Sequence, residues 1–328
     1  MDRLGPYEII EEVGRGGMGV VYKARRPDRP GTFAIKVLLA AQAKVGQTSE
    51  RFKAEAVATA RLDHPGIVKV LDSGDQDGFS YLVMKFVEGD VLDDLLEAGD
   101  KPVEEIAEIV QEVARAAHHA HERGVIHRDL KPSNVIIERG TGRPHVMDFG
   151  LAKDLSSDLA LSQAGAIIGT PYYMPPEQAK ARHAEIDARS DVYSLGAILY
   201  EALAGRPPHR AGSHPELIAK ILTEEPTPPS ELRPGVSKPL EAIVLKALAK
   251  KKENRYATAA ALADDIERVL SGEAVEAGAT SRSLPRGLLL VLVLAALGVV
   301  VPVALLVGRG VVDKRRAAAA KLAEETLE

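Results

Sequence analysis

The chain contains no cysteine and no tryptophan among its 328 residues. Without cysteine, disulfides and thiolate metal sites are excluded, which fits a reducing compartment. Tryptophan is absent beside abundant alanine, a matter of composition that carries no functional information. Positive charge is not in excess either. The 42 lysines and arginines face 47 aspartates and glutamates, a net charge of −5, so nothing argues for a nucleic-acid partner. The opening residues, MDRLGPYEIIEE, lack the apolar stretch of a signal peptide.

One apolar run does stand out. Leu288 to Val307 is 20 residues without a charge, and about 20 apolar residues cross a bilayer core. Gly298 and Pro302 are tolerated in such a helix. A transmembrane helix is therefore expected over residues 287–308. The small, polar stretch 271–286 reads as a juxtamembrane linker and 309–328 as a short tail.

The rest of the chain is long enough for a sizeable core. YEIIEEVG, GVVYKARR and GTFAIKVLL read as strands, the third following a turn at RPG; IVKVLDSG and FSYLVMKFV follow. Between them, Gln47 to Leu62 reads as a helix, with Phe52, Ala56 and Ala60 at helical spacing. Beyond Gly89 helices dominate: Val103–Arg123, Asp187–Ala204, Pro215–Leu222, Lys238–Ala249 and Thr258–Ser271. Strands first and helices after indicate an α+β protein in two lobes, about 7–88 and 89–270.

VGRGGMGVVYKA places Gly14, Gly16 and Gly19 ahead of Val21. Glycines let backbone amides approach a phosphate, although a glycine-rich hairpin without a ligand would carry the same letters. A dinucleotide fold needs a helix straight after the glycines, whereas VVYKARR continues as strand; the Lys-Ser/Thr of a Walker loop is missing. Lys36, flanked by apolar residues in FAIKVLL, needs a partner if it points inward. Glu55 is the candidate, two unrelated surface charges the alternative. HRDLKPSN, His127 to Asn134, precedes DFG, Asp148 to Gly150. Asn134 and Asp148 offer hard oxygen ligands suited to Mg2+. Asp129 can orient a hydroxyl and accept its proton, Lys131 can stabilise charge on a moving phosphoryl group, and Arg128 can pair with a phosphorylated residue.

In order and spacing, these segments together with GTPYYMPPE and DVYSLG resemble the eukaryotic-like (Hanks-type) protein kinases. RFKAEAVATARLDHPGIVKVLDSG, MPPEQAK and ENRYATAAALADDIERVL are similar to the bacterial membrane-anchored serine/threonine kinases. The resemblance spans about 7–270 and implies the bilobal protein kinase fold. It implies that Gly14, Gly16 and Gly19 cover the ATP phosphates. Val13, Val21, Ala34, Met84, Phe86 and Val87 then surround adenine, with Met84 as gatekeeper and Lys85 to Val87 as hinge. Lys36 holds the α- and β-phosphates and pairs with Glu55. Asp129 is the base, Lys131 meets the γ-phosphate, and Asn134 and Asp148 bind Mg2+, or Mn2+ in its place. Glu177 with Arg255, and Asp191, resemble structural braces. Lys131 with Thr170 resembles the serine/threonine-specific pattern, so protein substrates with Ser or Thr hydroxyls are expected. Lys36, Asp129 and Asp148 are all retained, which argues against a scaffold that has lost catalysis.

The pattern is broken at three places. Pro175-Pro176-Glu177 stands where Ala-Pro-Glu is usual, which stiffens the loop. Lys85 replaces a hinge acid. In related kinases the stretch equivalent to LSQAGAIIGT often holds two phosphorylated threonines; here those positions resemble Ser162 and Ala164. Autophosphorylation is expected at Ser162, ahead of Ser156, Ser157 and Thr170, through a homodimer if it occurs in trans. Two positive charges, Arg282 and Arg286, precede the apolar run and four, Arg309, Lys314, Arg315 and Arg316, follow it, which alone would put the tail in the cytoplasm. A kinase needs cytosolic ATP, so the expected arrangement is a single-pass cell-membrane protein with its kinase domain cytoplasmic. His118 and His121 lie three apart on a helix, but no carboxylate at zinc-site spacing joins them; they and His127 read as packed side chains.

Overall fold

The computed structural model describes residues 2–16, 19–38, 56, 59–149, 171–181 and 183–273. Glu55, Ser156, Ser157, Ser162, Ala164 and Thr170 lie outside the described residues, as do most of the helix expected from Gln47 and the segments 287–308 and 309–328. Among the described residues, no helix is long and apolar enough to cross a membrane.

The first lobe is an antiparallel sheet of six strands in the order β1-β2-β3-β4-β6-β5. These are β1 (Arg3–Leu4), β2 (Tyr7–Gly16), β3 (Gly19–Arg26), β4 (Arg29–Leu38), β5 (Val70–Gln76) and β6 (Phe79–Lys85). In β6, Ser80 through Met84 are all buried, as befits a strand with neighbours on both edges and matter on both faces. One expectation shifts: Arg26 already pairs with Arg29, so the β3–β4 turn is Pro27–Asp28 and the RPG triplet begins the next strand. A tight turn satisfies more ladder hydrogen bonds than the longer one the proline suggested.

The second lobe opens with a three-stranded sheet of β7 (Gly89–Val91), β8 (Val135–Glu138) and β9 (Pro144–Val146). Its helices are α1 (Leu92–Ala98), α2 (Val103–His121), α3 (Pro176–Ala179), α4 (Ala188–Ala204), α5 (His214–Thr223), α6 (Pro229–Leu232), α7 (Lys238–Ala247) and α8 (Ala259–Leu270). Their starts are written in the sequence. Asp187 accepts from the Arg189 amide at 2.9 Å and Thr258 from the Ala261 amide at 3.1 Å, so each satisfies a donor that a helix N-terminus leaves open. Gly99 and Gly205 close α1 and α4 in the left-handed conformation. In α2 the buried positions Ile106, Val110, Val113, Ala117 and Ala120 recur at helical spacing. In α4 every residue from Ser190 to Tyr200 is buried, which marks it as the central helix of the lobe.

Close packing against α4 makes one test quantitative. A Cβ added at Gly196 would meet Ala247 Cβ of α7 at 2.6 Å, well inside van der Waals contact. Gly196→Ala gains up to about 1 kcal/mol in helix propensity but forces α4 and α7 apart, an overpacking that costs roughly 1–3 kcal/mol. The expected net outcome is a lower melting temperature, measured by thermal unfolding; a raised one would contradict the contact.

Candidate active site

The glycine-rich hairpin joins β2 and β3, with Gly14 paired to Val21 and Gly16 to Gly19. Its glycines are not equivalent. Among the described residues, a side chain on Gly14 or Gly16 would meet nothing within 4 Å, whereas a Cβ on Gly19 would stand 2.2 Å from the Val37 carbonyl oxygen. Gly19 is thus required by the approach of β4, and the open face of the hairpin belongs to Gly14 and Gly16. Val13, on β2 next to Gly14, is a large apolar side chain left 45% exposed.

Beneath the hairpin, β4 places Ala34 opposite Met84 and Lys36 opposite Leu82 and Val21. Met84 and Val87 are buried in one apolar cluster with Ala34, Ile136 and Met147 packed against it. That cluster joins the sheet of the first lobe to β8 of the second. Phe86 donates its amide to the Thr32 carbonyl at 3.2 Å, and the Lys23 ammonium lies 4.8 Å from the centre of its ring.

Lys36 Nζ meets Asp148 Oδ2 at 2.7 Å, with side chains only 11% and 18% exposed. The expected partner Glu55 lies outside the described residues, so the ion pair on view is with the DFG aspartate. Asp148 is held at φ 61° and Arg128 at φ 65°. Non-glycine residues rarely adopt that region, at a cost of about 1–3 kcal/mol each, and they do so where surrounding structure enforces it.

The enforcing contacts at Arg128 are explicit. Asp191, at the start of α4, accepts the His127 amide at 2.8 Å on Oδ2 and the Arg128 amide at 2.9 Å on Oδ1. Gln178 donates its side-chain amide to the Arg128 carbonyl at 2.8 Å. His121 Nε2 meets Asp191 Oδ2 at 2.7 Å. Burial would raise the Asp191 carboxyl, but the His121 hydrogen bond, the nearby His127 and the backbone amide outweigh it and hold it below its ordinary value. His127 is fully buried, meets the Met147 carbonyl at 2.9 Å, and packs on Phe149 with ring centres 4.7 Å apart. It anchors the loop, as the sequence indicated.

Strain and anchors together present a polar group of three. Lys131 Nζ lies 2.9 Å from Asp129 Oδ2. Asn134 Nδ2 donates to the Asp129 carbonyl oxygen at 2.7 Å. With Nδ2 so used, Asn134 offers Oδ1 as an oxygen ligand, and Asp148 offers its carboxylate, already shown by Lys36 to take a cation. This donor set fits a small hard ion that keeps some of its waters.

Below the site, Arg255 clasps Glu177 twice, Nη1 to Oε1 at 2.8 Å and Nη2 to Oε2 at 2.9 Å, with both residues buried. Ser190 donates to Glu177 Oε1 at 2.7 Å. Burial pushes the Glu177 carboxyl up, but Arg255 and Ser190 win and hold it down. Tyr173 donates to Glu201 Oε2 at 2.5 Å; burial chiefly raises the Glu201 carboxyl. Gln178, the His121–Asp191 bond and the Tyr173–Glu201 pair were not foreseen as a set. Only their neighbours in sequence, Glu177, the HRD run and GTPYY, hinted at them.

A glycine hairpin, a largely buried lysine–aspartate pair and a strained HRD loop together make the arrangement of the protein kinase class of domain. Residues 7–266 match the family model described as the protein kinase domain, and the chain belongs to that family. It is 42% identical over 276 residues to the serine/threonine-protein kinase PknB of Mycobacterium leprae, covering 83% of this chain and 44% of that protein. A probable serine/threonine-protein kinase of Streptomyces coelicolor is 39% identical over 289 residues, covering 86% and 42%. The chain thus spans less than half the length of these relatives. Among solved structures, the PknI kinase domain of Mycobacterium tuberculosis aligns with a TM-score of 0.66 at 30% identity, over 81% of this chain and 97% of that one.

Proposed function

We propose that this chain transfers the γ-phosphoryl group of ATP to serine and threonine hydroxyls of proteins, as a non-specific serine/threonine protein kinase. The observation that carries the reading is the cluster of Asp129, Lys131 and Asn134 on a loop whose backbone Asp191 and Gln178 pin. Its relatives bear the name serine/threonine-protein kinase.

Phosphoryl transfer is largely positioning and charge neutralisation. Met84, Phe86, Val87, Ala34, Val13 and Val21 enclose the adenine, while the open face at Gly14 and Gly16 leaves backbone amides for the phosphates. Lys36 binds α- and β-phosphate oxygens. The Asp129 carboxylate orients the incoming hydroxyl and accepts its proton, and Lys131 turns from Asp129 to the γ-phosphate. Asn134 and Asp148 would hold Mg2+, or Mn2+, which when bound neutralises the phosphate oxygens. The test is initial-rate transfer to a protein substrate with and without Asp129→Ala.

Two finer readings rest on the sequence. The kinase domain occupies 7–270 and is tied by the linker 271–286 to a single membrane span at 287–308, with the domain on the cytoplasmic side. A tag at Glu328 that resists protease in sealed cells would overturn that topology. Activation follows autophosphorylation at Ser162, in a homodimer. Phosphopeptide mapping of active protein is expected to find Ser162 modified, and Ser162→Ala is expected to lower the activity of protein preincubated with ATP severalfold. Active protein with Ser162 unmodified would remove that reading.

A further inference from the structure

Outside the cleft, one cationic side chain sits where a cation is poorly served. Lys250 follows α7, is half-buried, and its Nζ lies 3.0 Å from Nε2 of the buried His209, in the loop between α4 and α5. While Lys250 is an ammonium it has only donors, so His209 Nε2 is then the acceptor and the imidazole is neutral with its hydrogen on Nδ1; the reactive form of the site is this tautomer with the amine deprotonated. No carboxylate within ion-pair distance of Lys250 is found among the described residues. Arg255, already engaged with Glu177, donates to the Lys250 carbonyl at 3.3 Å and adds a like charge close by. Glu224 and Glu225, beyond the end of α5, act on Lys250 from a distance, and Lys220 of α5 acts on His209. Burial, helped by Arg255 and only partly opposed by Glu225 and Glu224, brings Lys250 down to about 8. Burial, with Lys250 and Lys220, brings His209 down to about 4.

We propose that Lys250 is a nucleophilic lysine and a site of covalent acylation by small activated acyl donors of the acyl phosphate class. A neutral amine whose hydrogen is held by an imidazole has its lone pair free to attack. The Nζ lone pair forms a bond to the acyl carbon, and the carbon–oxygen bond to phosphate breaks. Phosphate leaves with that electron pair and takes up the surplus proton from Nζ, departing as hydrogen phosphate. The product is a neutral amide, which relieves the charge crowding at Arg255. The Glu177–Arg255 clasp, which ties the segment beside the catalytic loop to the end of the lobe, lies directly next to this site.

The test uses the full chain in detergent, acetyl phosphate as the probe, and peptide mass spectrometry to follow each lysine from pH 6.5 to 10. The exposed neighbour Lys251 is the internal reference. An amine titrating near 8 is about 200 times more often neutral at pH 7.5 than one at the free-lysine value. Lower basicity and restricted access offset much of this, so Lys250 is expected to react about tenfold faster than Lys251 at pH 7.5. Its rate should level off above pH 8 to 9, as expected of an amine that titrates near 8. His209→Asp, which sets a carboxylate against Nζ, should abolish the advantage without altering Lys251; His209→Asn, which keeps a neutral acceptor, should preserve it within about threefold. Equal rates for Lys250 and Lys251 at pH 7.5, a Lys250 rate climbing without inflection to pH 10, or equal behaviour of the two His209 variants would overturn the proposal. The wild-type profile decides even if a variant does not fold.

Discussion

Asp129→Ala is expected to lower phosphoryl transfer by roughly a thousandfold while leaving the melting temperature within a degree or two of wild type. The asymmetry follows from where the side chain sits. Asp129 is a quarter exposed, and its carboxylate is met by the half-exposed Lys131 at 2.9 Å. The loop is held chiefly through its backbone: the Asp129 carbonyl oxygen accepts from Asn134 at 2.7 Å, against 3.4 Å for the carboxylate, and the amides of His127 and Arg128 are held by Asp191. In the proposed reaction the carboxylate is the group that meets the substrate hydroxyl, so its loss removes orientation and proton acceptance together. Initial rates with labelled ATP, paired with thermal melting, check both halves. A variant retaining more than a tenth of wild-type activity would remove Asp129 from the reaction.

Arg255→Ala is expected to have the opposite profile, with stability failing first. The Glu177–Arg255 pair is buried and doubly hydrogen-bonded. Taking away one partner strands a carboxylate in the interior, at about 3–5 kcal/mol. For a domain of this size that is on the order of 10 °C in melting temperature. The companion Glu177→Met/Arg255→Met should lose clearly less than the two single changes added together, because it leaves no stranded charge. The acid limb carries the same signature. Glu177 titrates below its unfolded value, so its contribution is complete above the ordinary glutamate range, about pH 4.3, and is lost as pH falls toward the lower folded value. Wild type should therefore lose stability on acidification through this window, and Arg255→Ala should lose less. Additive single and double changes would mean the pair is merely adjacent.

The proposed reacting groups were legible in the sequence because phosphoryl transfer needs particular chemical types at short spacings. Lys36, Asp129, Asn134 and Asp148 stood out as a set and not singly, and the structure gathers Asp129 with Lys131 and Asn134, and Lys36 with Asp148. Helix starts were equally readable at Asp187 and Thr258, where capping is local chemistry. What stayed hidden depends on contacts between distant segments. Gln178 and Arg128 are 50 residues apart, and no spacing rule joins a side-chain amide to that carbonyl. The steric demand at Gly19 comes from Val37 on another strand, a second reason for glycine there that no local pattern reports. Helix α1 was missed because LDDLLEA is short and acidic, with Leu92 alone fully buried. Lys250 went unmarked for the same reason: its neighbours His209 and Arg255 are brought to it by the fold.

The most direct measurement of the central claim is phosphoamino-acid analysis of a protein substrate incubated with the full chain, Mg2+ and γ-labelled ATP, beside Asp129→Ala. The account predicts label on serine and threonine with wild type and a loss of roughly a thousandfold with the variant. Label on neither residue with wild type, or equal label from both proteins, would contradict it.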